Sequence, residues 1–200
     1  MKTSVRMGIV AITFAAVLGL IAFAGSTNGQ GKKGGLHDAV KDIGEEIRKG
    51  NKDAAKKLAA NTAKNLEDTE TLMKLFKLRK QKGLGAGPIA LSSEGNDGIE
   101  KMIRDLAKEV PGGIAKQSAS LETMGYWISA MGEMSHAAHS KVDFGGKKSK
   151  AKWLEWSDEM RELGVVFAKA AATKKPAEIK AAAARVNANC NECHSIFRQN

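Results

Sequence analysis

Trp153-Leu154-Glu155-Trp156-Ser157-Asp158-Glu159-Met160-Arg161-Glu162-Leu163-Gly164-Val165-Val166-Phe167-Ala168-Lys169-Ala170 is the stretch that decides the fold. Trp153, Trp156, Met160, Leu163, Phe167 and Ala170 recur at intervals of three and four. That is the spacing of a single buried stripe on an α-helix, and of a bundle seam. Acidic and basic residues fill many of the other positions, which keeps the opposite face in water. A helix with one apolar seam buries it against other helices with seams of their own, so an all-α, four-helix-bundle-like fold is expected.

The flanking segments carry the pattern on. Upstream, a helix from about Ile114 to His139 has the stripe Met124, Trp127 or Ile128, Met131, Met134 or Ser135, and Ala138. Downstream, Pro176 suits a first helical position and Glu178 falls in the positive first turn. Ile179, Ala183, Val186, Cys190, Cys193 and Phe197 then line the inner face of the last helix. The joins at 140–148 and 173–175 are short, which makes these neighbours antiparallel. No strand-type alternation longer than four residues occurs anywhere.

Near its end the last helix reads Cys190-Asn191-Glu192-Cys193-His194, with the only two cysteines of the chain. A C-x-x-C-H run is the attachment signature of a c-type haem. Two thiols one helical turn apart can add to the two vinyl groups of one porphyrin, and the next imidazole then lies under the iron. The same residues allow a disulfide, a redox-active pair or half of a zinc site. A redox pair sits at a helix start in an alternating strand–helix pattern, which is not the setting here. Zinc needs two further ligands, and His37, His136 and His139 lack the usual finger spacing. One covalent haem c is the expected cofactor.

The first half is less regular. A helix from about Leu36 to Lys49 carries Leu36, Val40, Ile43 and Ile47 on one face, and Gly50 ends it. Asn51 can cap a second helix, with Ala54, Ala55, Leu58, Thr62 and Leu66 inward. Beyond it, either Asp68 or Thr69 caps a new start, or the helix continues through Leu72, Met73, Phe76 and Leu78 to about Lys80. Residues 83–98 read as loop; no strand precedes their glycines and no Gly-Lys-Ser/Thr follows, which excludes a phosphate-binding loop. A short helix from about Ile99 to Glu109 stops at Val110-Pro111-Gly112-Gly113.

At the N-terminus, Lys2 and Arg6 precede an apolar run from about Met7 to Phe23, and Ala22-Phe23-Ala24 offers a small-x-small cleavage site. Residues 1–24 are expected to be an export signal, 25–35 a flexible linker and 36–200 one helical haem domain. An uncleaved anchor of this length just spans a bilayer, but the cleavage site favours secretion. The net charge is +10, to which Lys2 and Arg6 contribute two. Lysines cluster at Lys32-Lys33, Lys74 to Lys82 and Lys147 to Lys152. They serve either as solvated helix faces or as a docking face for an acidic redox protein. No nucleic-acid partner and no enzymatic activity is expected, since no nucleophile motif or paired-carboxylate signature is present.

With C-x-x-C-H-x-x-Phe-Arg closing a tryptophan-bearing bundle, the chain resembles the class II c-type cytochromes, the cytochrome c′ group. The matching residues are Cys190, Cys193, His194, Phe197 and Arg198. The helix just before them and the join from Lys49 to Ala55 are similar as well, while residues 67–113 form an insertion that departs from the compact pattern. The resemblance implies thioether bonds at Cys190 and Cys193, with His194 as proximal iron ligand. Arg198 would lie at the haem edge or be solvated, and Trp153 and Trp156 would wall the porphyrin or serve as ordinary core. In the family the distal residue comes from the start of the first helix, where this chain offers only His37. Met73 is the first choice for the sixth ligand, because methionine with histidine is the usual pairing of an electron carrier; Met131 and an empty position follow. The expected function is a periplasmic or otherwise exported mono-haem electron carrier, with a homodimer possible through the early helices. The alternatives are a five-coordinate, gas-binding haem protein and a haem-free helical module whose cysteines pair.

Overall fold

Small residues decide how the two most extensively packed helices meet. A Cβ added at Gly125 would stand 2.6 Å from the Ala168 nitrogen, at Gly132 2.5 Å from the Arg161 nitrogen, and at Gly164 2.4 Å from the Ser129 nitrogen. The two backbones therefore touch, helix α5 (Ser118–Ala137) against helix α6 (Lys150–Thr173). These elements come from a computed structural model that describes residues 35–92, 94–146 and 148–198. The α5–α6 pair is antiparallel and pinned at both ends. The Ser118 hydroxyl donates to the Ala171 carbonyl at 2.7 Å, and the Trp153 indole N–H donates to the Ser135 carbonyl at 2.9 Å.

The other helices wrap this pair. Helix α1 (Leu36–Arg48) packs on α5 and on α2 (Lys52–Lys64), and α2 also reaches α5. Helix α7 (Pro176–Phe197) lies on α6 and on α4 (Ile99–Lys108). Helix α5 is thus enclosed, with Leu121, Met124, Ile128, Met131 and Met134 fully buried. The described residues hold no strand, only an isolated bridge between Leu78 and Gly98. The fold is all-α and bundle-like, as the seam spacing requires.

Local signals set the ends. Pro176 opens α7, and the Ser149 hydroxyl accepts from the Lys152 amide at the start of α6. The Asp68 carboxylate accepts from the Thr71 amide at 2.8 Å and caps a separate short helix, α3 (Thr69–Met73). Of the two courses left open for this region, the chain takes the new start. The face expected for α2 is corrected. Ala55, Ala59 and Ala63 are buried, with Leu66 beyond the helix end, whereas Ala54 is exposed and Leu58 is 38% exposed. An all-alanine stripe lets α2 approach α1 and α5 more closely than Leu58 would allow.

The insertion is held by a buried carboxylate. Asp97 accepts from Arg79 Nε at 3.2 Å, from Arg79 Nη2 at 2.9 Å and from the Ala86 amide at 3.0 Å. Burial pushes its pKa up, but the Arg79 and Ala86 bonds outweigh that and hold it below the usual carboxylate range. This clasp ties the loop that delivers α4 onto α7. The expected export signal and most of the expected linker, residues 1–34, lie outside the described residues. Among the described residues, no helix is long and apolar enough to cross a membrane.

Candidate functional site

Residues three and four apart share one side of a helix, so Cys190, Cys193 and His194 project from a single side of α7. All three are half-buried, and both cysteines are free thiols. Burial pushes the Cys190 thiol up to about 12, helped by Cys193 and by the Glu100 carboxylate of α4. Burial also raises Cys193, to about 11. Both are therefore neutral thiols near neutral pH, not reactive thiolates. His194 is lowered by burial first and then by the Arg198 guanidinium, with Glu100 acting in the opposite sense. It is held as neutral imidazole, the form that ligates a metal.

Helices α6 and α7 flank the motif with aromatic rings. Phe197 meets Trp153, Trp156 and Phe144 edge-on, with centroids 5.1, 5.9 and 6.4 Å away. Trp153, through its bond to Ser135, brings the end of α5 to this place as well. The end of α5, the start of α6 and the end of α7 therefore meet here, as the antiparallel argument requires. One residue before the motif, Asn189 Nδ2 donates to the Trp156 carbonyl at 3.3 Å and to Glu159 Oε2 at 2.9 Å. The Asn189 Oδ1 and Ser135 Oγ atoms are buried without a hydrogen-bond partner among the described residues.

The other expected site residues are placed apart from one another. Arg198 is exposed at the C-cap of α7, close enough to His194 to lower its pKa. Met73 is half-buried on α3, which packs on α5, whereas the motif helix packs on α4 and α6. Met131 and Met134 are core residues of α5. His37 donates from Nε2 to the Lys82 carbonyl at 3.0 Å, and His136 from Nδ1 to Asp158 at 2.9 Å. His139 donates to the His136 carbonyl at 3.0 Å. Trp153 and Trp156 stand round Phe197 at the motif's flank.

Glu100, Asn189 and Phe144 were not singled out by sequence reasoning. Asn189 left a signal, a polar residue beside Cys190 on an otherwise apolar stripe. Glu100 and Phe144 left none, since only tertiary packing brings α4 and the α5–α6 connection to the motif.

A covalent haem fits this donor set: two neutral thiols one turn apart, with a neutral imidazole beside the second. The pair lies near a helix end, whereas a redox-active pair sits at a helix start. Both cysteines are free thiols, and no group of three His, Cys, Asp or Glu side chains able to hold a metal forms among the described residues. Two hollows elsewhere are lined differently. One of about 160 Å³ lies between the Leu91–Ser92 loop and α4, and one of about 350 Å³ lies between α1 and α5 at Gly44, Arg48 and Tyr126. No protein-family model matches the chain, and neither a curated protein nor a solved structure matches it.

Proposed function

We propose that this is an exported mono-haem c-type cytochrome of the class II kind, and that it carries single electrons. One observation carries the reading. Cys190, Cys193 and His194 stand on one side of α7, with the thiols neutral and the imidazole neutral beside an aromatic cluster. When bound, the haem supplies a one-electron iron couple. Cys190 and Cys193 hold it through thioether bonds, and His194 offers its ring nitrogen to the iron. Phe197, Trp153, Trp156 and Phe144 present apolar surface at the motif and limit the approach of water. Arg161 of α6 pairs with Glu133 of α5 at 3.2 Å, which braces the two helices, and with Asp158 of its own helix at 3.1 Å. A braced scaffold rearranges little when charge changes, which suits an electron carrier.

A second reading is favoured by His37. That side chain is engaged with the Lys82 carbonyl, and Met73 sits on α3, which packs on α5, so neither would be free to serve a haem at the motif without moving. On this reading the iron is five-coordinate and binds a small gas. Two measurements decide between the readings, made on protein from a host that matures c-type haem. A pyridine haemochrome of thioether-linked haem is expected from either; protein that emerges colourless, at the mass of its polypeptide, removes both. A low-spin reduced spectrum indifferent to carbon monoxide supports the carrier, whereas a high-spin spectrum that shifts with the gas supports the second reading. Met73→Ala leaves the first spectrum unchanged unless Met73 is the sixth ligand.

A further inference from the structure

The connection between α5 and α6, with the first turn of α6, carries five lysines against one aspartate between positions 141 and 152. Lys141, Lys150 and Lys152 are exposed and Lys148 is half-buried. Elsewhere some lysines are neutralised one turn away on their own helix, as Lys41 is by Asp38, Lys101 by Asp105 and Lys175 by Glu178, while others, Lys80 and Lys108 among them, have no ion pair among the described residues. What sets this group apart is its density and its place over the motif. Lys152 is paired one turn away with Glu155. Lys141, Lys148 and Lys150 have no carboxylate within ion-pair distance among the described residues. The one acid of the connection, Asp143, is exposed and accepts the Gly145 amide at 3.1 Å.

These charges sit over the motif's aromatic cluster. Phe144, in the middle of the connection, packs edge-on against Phe197 of the motif helix with centroids 6.4 Å apart. Lys152 Nζ lies 5.7 Å from the centre of the Trp156 ring, which itself meets Phe197. A body bound to the lysines is therefore separated from the C-x-x-C-H helix by little more than one layer of aromatic side chains.

We infer that the α5–α6 connection is the docking surface for an acidic face on a protein redox partner. The inference rests on the electron-carrier reading. Charge complementarity selects the occupant. A few uncompensated cations steer and orient a carboxylate-bearing surface. An anionic bilayer calls for a denser basic cluster, or for an apolar helix face able to insert.

The test uses haem-loaded full chain and poly-L-glutamate as a stand-in for the acidic face, followed by amide NMR. Shifts are expected in residues 141–152. A variant carrying Lys141→Glu, Lys148→Glu and Lys150→Glu is expected to bind at least about tenfold more weakly. A charge-matched control, Lys116→Glu, Lys169→Glu and Lys180→Glu, places the same change on other exposed sites and is expected to lose less than about threefold. Electron exchange with a carboxylate-terminated electrode should slow in the first variant alone. Equal losses in both variants overturn the proposal, because net charge then explains everything. Binding to phosphatidylglycerol vesicles without any response to poly-L-glutamate overturns it in favour of a membrane surface. The pyridine haemochrome reads the haem separately. Coloured protein whose connection ignores poly-L-glutamate sinks the docking surface alone, and colourless protein sinks the carrier reading whatever the connection does.

Discussion

Cys190 and Cys193 are chemically quiet thiols, and that quietness is measurable. Their raised values, about 12 and about 11 against an ordinary 9.0, come chiefly from burial. In haem-free protein at pH 8, alkylation by iodoacetamide should run at least about a hundredfold slower than in urea, because only the thiolate reacts. Equal rates in the two solvents would show that the motif face is open. The same shifts predict an alkaline weakness. Between pH 9 and 11 the unfolded chain releases thiol protons that the folded chain keeps, so the stability these groups contribute below pH 9 is lost as pH rises through that window. The urea midpoint of haem-free protein should fall there, and Cys190→Ala should flatten the fall. Asp97 behaves in the opposite sense, since its folded pKa is depressed. Its contribution is present above the ordinary carboxylate value and lost on acidification. Asp97→Ala leaves the Ala86 amide without its acceptor and Arg79 with only the Gly87 carbonyl, and should cost about 3 kcal/mol in urea unfolding at pH 7; a loss under about 1 kcal/mol would mean that water replaces the clasp.

The helices divide into those whose sequence announces their packing and those whose sequence does not. On α6 and α7 the apolar stripe, the short joins at 140–148 and 173–175 and Pro176 all point one way, and the starts they imply agree with the structure to within a residue. On α2 nearly every apolar residue is alanine, so two faces compete, and the buried one is chosen by how closely α1 and α5 approach rather than by hydrophobicity. The haem-type motif was legible because its chemistry is local to one turn of helix. On the proposed haem reading, a sixth ligand is not legible, because it would have to come from another element and several methionines have the right chemistry. The closest contact in the bundle was also hidden, as Gly125, Gly132 and Gly164 read only as weak helix formers. Their role gives a sharp prediction. On an open helix face Gly164→Ala would stabilise by about 1 kcal/mol. Here the new methyl group would stand 2.4 Å from the Ser129 nitrogen and 2.7 Å from the Gly125 carbonyl oxygen, both of them backbone. The variant should instead lose about 2 kcal/mol, as overpacked cores do. A gain in the urea midpoint would show that α5 and α6 are not in backbone contact.

For the molecule as a whole, the two ends of the bundle differ in what they are built from. At one end Ser118 bonds to Ala171 and α7 begins at Pro176, an arrangement complete in itself. At the other end sit two free thiols, a neutral imidazole and two buried oxygens without partners, Ser135 Oγ and Asn189 Oδ1. An unpaired buried polar atom costs about 1–3 kcal/mol, so this end is the less settled of the two. A ligand that binds only the folded form stabilises most where it makes contact, and local opening free energies vary along a structure. Haem loading should therefore protect the motif end selectively. In hydrogen exchange, amides of residues 134–138, 152–160 and 189–197, with 100–104 of α4, should slow by at least about tenfold on going from haem-free to haem-loaded protein. Residues 118–122 and 168–182 should change by less than about twofold. Uniform slowing along all the helices would mean that the haem organises the entire bundle, and the picture of a finished scaffold with one unfinished end would fail. Slowing confined to α7 would instead exclude α4 and α6 from the haem site and remove Trp153, Trp156 and Glu100 from any part in it.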